Sequence, residues 1–82
     1  MNNTNALNVG EYFLSEWCGH VTLFRVTKIM RTSRPVVERW KKTAQCWDVP
    51  RPIRLSIPLQ TITAGEARRL MQSHGPYVMG TV

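Results

Sequence analysis

Apolar and polar positions alternate in the first part of the chain in a way that predicts β-strands. The segment 11–17 places Phe13 and Trp17 on one face and Tyr12 and Leu14 on the other. The segment is also rich in residue types that favour strands. We therefore expect the first strand of the folded part here.

A second strand is predicted for residues 21–31, after a turn at 18–20. Phe24 and Val26 share one face of this strand, whereas Leu23 belongs to the opposite face. The two apolar sets conflict unless the strand is buried on both sides or is bent by a bulge.

A third strand is predicted for residues 36–42, after a turn whose proline fixes the backbone. Residues 43–48 either continue this strand or form a short separate one. Residues 53–57 alternate strictly, so Ile53, Leu55 and Ile57 should face the core. Pro58 should end this fourth segment or place it at an edge.

One helix is predicted near the end of the chain, over residues 64–73. Thr63 and Glu66 have the spacing of a capping box, in which each side chain bonds the backbone N–H of the other residue. Gly75 and Pro76 supply the stop. Residues 77–82 form either a short final strand or a loose tail.

Short strands at regular spacing, followed by one helix, indicate a mainly β or small α+β fold. We expect a partly open β-barrel of the SH3-like type with one short C-terminal helix at about 64–73. With 82 residues the chain suffices for one domain. The domain should span 9–82, behind a flexible polar arm at 1–8, where little can be buried.

Three short motifs resemble a known group of proteins: Gly10-Glu11-x-Phe13, Ser15-x-Trp17 and Phe24-x-Val26. They are similar to motifs of small uncharacterised proteins from phages and mobile elements, over residues 9 to about 40. In that group Phe24 would be followed by Tyr, and here Arg25 follows it. The resemblance implies an SH3-like, partly open barrel and implies no activity.

The positive charge is concentrated in the middle of the chain. The formal net charge is +6, and residues 25–54 hold nine of the bases. Such asymmetry is typical of a protein that binds a polyanion or an acidic protein surface. No apolar segment is long enough to span a bilayer and the N-terminus lacks the pattern of a signal peptide. We therefore expect a cytoplasmic protein, in the host cytoplasm if it is phage-encoded, that contacts no membrane.

The residues that could support catalysis or metal binding are scattered. Cys18 and His20 are too close for a usual zinc pair, while Cys46 and His74 stand alone. No base and orienting group accompany either thiol. We expect two reduced cysteines packed as small apolar residues, no metal, no cofactor and no small-molecule substrate, and a protein that is not an enzyme.

The leading functional hypothesis is a basic binding module that acts on nucleic acid or on a nucleic-acid-handling complex. The alternative is a phage-type inhibitor that docks on a host protein through its basic, Trp-containing face without contacting nucleic acid. In both cases the predicted partner-binding residues are Arg34, Arg39, Lys41, Lys42, Trp47, Arg51 and Arg54.

The position of Trp40 separates two arrangements of this surface. Arg39 and Lys41 share a parity and point away from Trp40 in a strand. With both bases in water, Trp40 faces the core and base stacking falls to Trp47 or Trp17. If Trp40 were exposed instead, the charges of the two bases would face the core and would need partners there, which is costly in free energy. We expect the first arrangement.

Overall fold

The computed structural model describes residues 7–32, 34–53 and 59–78. This part of the chain is mostly β, with one antiparallel open sheet and one short helix, consistent with a small SH3-like fold. The elements, in chain order, are β1 (Tyr12–Trp17), β2 (His20–Ile29), β3 (Pro35–Lys41), β4 (Cys46–Trp47), β5 (Arg51–Pro52), β6 (Leu59–Ile62) and α1 (Ala64–Gln72).

The strands are arranged in the order β4-β3-β2-β1-β6, and β5 also pairs with β3. One edge of β3 therefore carries two short partners. β4 pairs with Trp40 and Lys41, whereas β5 pairs with Val36 and Val37. The short β4 is one of the two possibilities that the sequence left open for residues 43–48.

The turn between β1 and β2 is built from two residues with positive φ, Cys18 at 52° and Gly19 at 82°. Two such residues match the twist of a tight hairpin. Both cysteines are exposed and free. The expectation that they pack as small apolar residues is wrong, because Cys18 lies at the tip of this turn and Cys46 at the sheet edge.

β2 is buried on both sides and also contains a bulge. Leu23 is fully buried on one face, and Phe24 and Val26 are 2% and 1% exposed on the other. The register with β3 shifts between Val26 and Lys28. Both solutions to the conflict in the sequence pattern are therefore present in the same strand.

The first core cluster contains Phe13, Phe24, Val26 and Val37, with Leu7 buried against them. The Phe13 and Phe24 rings stack with centroids 5.1 Å apart. Leu7 is 7% exposed, so this residue packs in the core although the sequence analysis placed it in the polar arm. A leucine preceded by polar residues still contributes to the core because it reaches this apolar face.

The second core cluster lies on the opposite face, beneath the helix. Leu14, Leu23, Ala67 and Tyr77 are its buried members. Ala67 is fully buried, and its small side chain lets the helix approach the sheet closely.

The capping box predicted for the helix is present. The Glu66 backbone N–H donates to Thr63 Oγ1 at 3.1 Å, and the Thr63 N–H donates to the Glu66 carboxylate at 3.0 Å. These two bonds satisfy two backbone N–H groups at the start of the helix that would otherwise lack a partner. The helix ends at Gln72, one residue before the predicted end.

β6 was not predicted from the sequence. It pairs with β1 from Tyr12–Ile62 to Ser15–Leu59. Of the residues predicted to face the core in the fourth segment, Ile53 packs against the first core cluster. Leu55 and Ile57 lie outside the described residues.

Candidate nucleic-acid interface

The five acidic residues decide which bases are neutralised. Glu38 and Asp48 bond arginines, while Glu66 belongs to the helix cap. The Glu11 carboxylate accepts the backbone N–H of Asn8 at 2.7 Å. Glu16 is exposed on β1. Two of the ten bases that the structure describes therefore have a carboxylate partner among the described residues.

Arg39 is one of these paired bases. Its guanidinium donates to Asp48 at 3.0 Å and lies 5.7 Å from the centre of the Trp17 ring. The Asp48 carboxylate also accepts the Val49 backbone N–H at 2.8 Å. The Val49 bond, followed by the Arg39 bond, holds the pKa of Asp48 below its usual value. Arg39 is thus half-buried and neutralised.

Arg25 is the second paired base, and it lies on the other face of the sheet. Its Nε donates to the Glu38 carboxylate at 3.0 Å, directly across the β2–β3 ladder. The same guanidinium lies 4.2 Å from the centre of the Trp47 ring. Arg25 therefore covers Trp47 instead of facing a partner.

The two tryptophans near β4 form an aromatic cluster on the face that carries the helix. Trp40 and Trp47 pair across the strands with ring centroids 5.1 Å apart. Both pack on the second core cluster. Trp40 thus faces the core, and Arg39 and Lys41 share the opposite face, as we predicted. The expectation that both bases lie in water is wrong for Arg39, because its guanidinium is half-buried against Asp48. The Trp40 indole N–H is buried without a hydrogen-bond acceptor in the described part of the chain.

Lys42 is bonded to the segment that follows the helix. Its Nζ donates to the Gly75 carbonyl at 2.6 Å and lies 4.4 Å from the centre of the Tyr77 ring. The Tyr77 hydroxyl donates in turn to the Leu70 carbonyl at 2.8 Å. Lys42 thereby links the end of β3 to the C-terminal segment.

A second set of bases lies at the opposite end of β3, where the β2–β3 hairpin extends past β1. The β1–β2 pairing ends where the Val26 N–H donates to Glu11, and the hairpin continues beyond it. All four bases at this end are exposed, and no carboxylate in the described residues bonds them. We call this set the hairpin-end cluster: Lys28, Arg31, Arg34 and Arg51.

The predicted partner-binding residues are divided by the sheet. Arg34 and Arg51 lie in the hairpin-end cluster, and Arg51 is paired opposite Val37. Lys41 lies at the far end of β3, about 23 Å from Arg34 at the usual strand rise. Lys42 and Trp47 lie on the helix-bearing face, Arg39 is bound by Asp48, and Arg54 lies outside the described residues.

Sequence reasoning missed Lys28 and Arg31. The segment from Arg25 to Val37 contains four bases and no acid. This run, flanking a predicted turn, was the signal that could have identified the hairpin end. The interpretation instead followed Trp40 and its neighbours, which the fold uses for packing.

Neither a cluster of metal ligands nor a membrane-spanning helix is found in residues 7–32, 34–53 and 59–78. No group of three or more His, Cys, Asp or Glu side chains there could hold a metal ion. The helix in the same part of the chain is too short and too polar to cross a membrane. No family model, curated protein or solved structure matches this sequence.

Proposed function

We propose that the protein is a non-catalytic, cytoplasmic binding module for nucleic acid, and that the hairpin-end cluster is its phosphate-contacting surface. The observation that supports this proposal most directly is that no carboxylate among the described residues bonds the four exposed bases. Bases that are free of internal ion pairs can neutralise phosphates and release counterions.

The position of the cluster also favours a polyanion. The hairpin projects beyond β1, so its charges can reach a partner without a clash with the rest of the sheet. Arg51 lies on the adjacent β5, three residues along the ladder from Arg34, about 10 Å at the usual strand rise. This separation is wide enough for the two bases to contact different phosphates of one strand.

Contacts of this kind depend on charge and carry little base preference. The tryptophans contribute little to base recognition because Trp40 and Trp47 pack on the core and Trp17 is covered by Arg39. We therefore propose binding that tolerates many sequences.

The alternative, docking on a host protein, is favoured by two apolar side chains on the same hairpin. Ile29 and Met30 are 38% and 39% exposed. Apolar side chains ringed by bases can anchor in a pocket on an acidic protein.

A salt titration separates the two functions. Duplex DNA, single-stranded DNA and RNA of generic sequence are each titrated by fluorescence anisotropy at several salt concentrations. The nucleic-acid proposal predicts binding that weakens steeply, with a slope of about 0.9 per phosphate contact for duplex DNA. No binding to any of the three at low salt would overturn it and leave docking on a protein as the better account.

A further inference from the structure

β2 and β3 separate near the end of the sheet that is remote from the hairpin-end cluster. The last rung between them joins Phe24 to Arg39. β2 nevertheless begins at His20, and β3 extends to Lys41. The separation opens a cleft of about 580 Å³ between the two strands, which the C-terminal segment at Tyr77 borders on a third side.

The backbone of β2 presents polar groups to this cleft. The Val26 N–H bonds Glu11 on the β1 side. Backbone direction alternates along an antiparallel strand, so the N–H and C=O of Val21 point away from β1. They face the cleft, because the ladder with β3 ends before it reaches them.

The side chains of the cleft favour an anion. Within the described residues Lys42 contacts the neutral Gly75 carbonyl and Tyr77 ring, and no carboxylate there cancels its charge. His20 and Thr43 are exposed at the two rims and supply further donors. No Asp or Glu is among the described residues that line the cleft.

Trp40 adds a reporter to the cleft wall. It lines the cleft, and its indole N–H is buried without an acceptor in the described part of the chain. A buried N–H without an acceptor is unfavourable in free energy. A ligand oxygen that reached this wall would change the environment of Trp40 directly.

We propose that this cleft binds a phosphate group, carried either by a free nucleotide or by a nucleic-acid strand. Cationic and hydroxyl donors with exposed backbone N–H groups form the usual surroundings of a bound phosphate. The cleft volume lies within the range of small-ligand sites. An extended peptide fits less well, because the opening spans only residues 20–23 of β2, too few for strand addition.

The test uses the whole protein and four probes: inorganic phosphate, AMP, and one single-stranded oligonucleotide with either a 5′-phosphate or a 5′-hydroxyl. Amide chemical shifts of Val21, Lys42 and Thr43 are followed by NMR, together with Trp40 fluorescence. We expect saturable shifts with phosphate and AMP. A preference for the 5′-phosphorylated strand identifies a strand end as a source. Equal binding of the two strands identifies internal phosphates.

A matched pair of variants locates the site. Thr43→Glu places a carboxylate at the rim, and we expect roughly tenfold or greater loss of phosphate and AMP affinity from like-charge repulsion. Thr61→Glu makes the same substitution at an exposed position of β6, two strands away from the cleft at the other edge of the sheet, where salt screens its charge, and should retain binding within about twofold. His20→Glu, on the opposite rim, should repeat the loss if Thr43→Glu fails to fold.

Two results would overturn the inference. One is the absence of saturable shifts up to about 10 mM phosphate or AMP, a concentration that would fill about nine-tenths of a site with a Kd of about 1 mM. The other is an equal loss in Thr43→Glu and Thr61→Glu. The inference stands apart from the proposed function: an Arg31→Gln/Arg34→Gln double variant should keep AMP affinity while weakening long nucleic acid.

Discussion

The guanidinium of Arg39 donates a hydrogen bond of 3.0 Å to the carboxylate of Asp48. The pair fixes the β4 side of the sheet, because the Asp48 N–H also donates to the Arg39 carbonyl at 2.8 Å. Two neighbouring bases of β3 consequently have different roles: Arg39 serves the structure, whereas Lys41 has no carboxylate hydrogen-bonded to it within the described residues.

Charge reversal at these two positions should therefore have different effects on the melting temperature. Arg39→Glu should lower the melting temperature by a few degrees, because it replaces the ion pair with two adjacent carboxylates. Lys41→Glu should leave the melting temperature nearly unchanged. Thermal melts at neutral pH measure both. If the two single variants had equal melting temperatures, the structural role given to Arg39 would be wrong. If neither base had a structural role, an Arg39→Glu/Lys41→Glu double variant would melt at the same temperature as wild type.

Thr63→Ala should destabilise the protein by about 1 kcal/mol, the usual cost of a lost N-cap. Urea denaturation measures the free energy of unfolding, and Gln72→Ala, at the exposed end of the same helix, is the control and should change it little. The Thr63 backbone N–H, and then its hydroxyl, keep the pKa of Glu66 below its usual value of 4.5. The cap should therefore stabilise the protein above that pH and weaken as the pH falls below it. A Thr63→Ala variant with wild-type stability would remove the cap from the account.

Leu23→Ala should cost about 2–5 kcal/mol, because Leu23 is fully buried beneath the helix. Val78→Ala is the control, since Val78 is 74% exposed and should change stability by about 0.5 kcal/mol or less. Denaturant melts of the two variants give both values. If the Leu23 variant were as stable as its control, the two-sided burial of β2 would be wrong.

The stability of the protein should fall at alkaline pH through Tyr77. Burial raises the pKa of its phenol above the ordinary value of 10.0, so the folded state holds this proton more tightly than the unfolded state. The contribution is complete below pH 10 and is lost as the pH rises through the raised pKa. Tyr77→Phe should lower the free energy of unfolding by about 0.5–1.5 kcal/mol at neutral pH, because it removes the hydrogen bond to the Leu70 carbonyl.

The same variant should also have a flatter decline in stability above pH 10 than wild type. Melting temperatures measured between pH 7 and pH 11 compare the two proteins. A decline of equal steepness in both would show that Tyr77 does not titrate with folding.

The elements that were predictable from the sequence are those specified locally. β1, β2 and β3 follow from alternation, and the helix follows from the spacing of Thr63 and Glu66. β6 was not predictable in this way, because Leu59–Ile62 is a strand through its pairing with β1, which is far away in sequence. The shared face of Arg39 and Lys41 was predictable too, because side chains two residues apart in a strand point to the same side.

The candidate site was less predictable because charge alone does not show which bases are already paired. Arg39 and Arg25 have partners on other strands. Lys42 bonds Gly75, which is thirty-three residues away along the chain. The bases left for a partner emerge only once these long-range contacts are known.

The central claim, that the hairpin end contacts phosphates, is tested most directly by the salt dependence of nucleic-acid binding in two matched double variants. Arg31→Gln/Arg34→Gln removes two charges from the hairpin, and Arg68→Gln/Arg69→Gln removes two from the exposed face of the helix. The account predicts that the hairpin variant lowers the slope of log K against log salt by about 2, whereas the helix variant keeps the wild-type slope. Equal slopes in the two variants would contradict it.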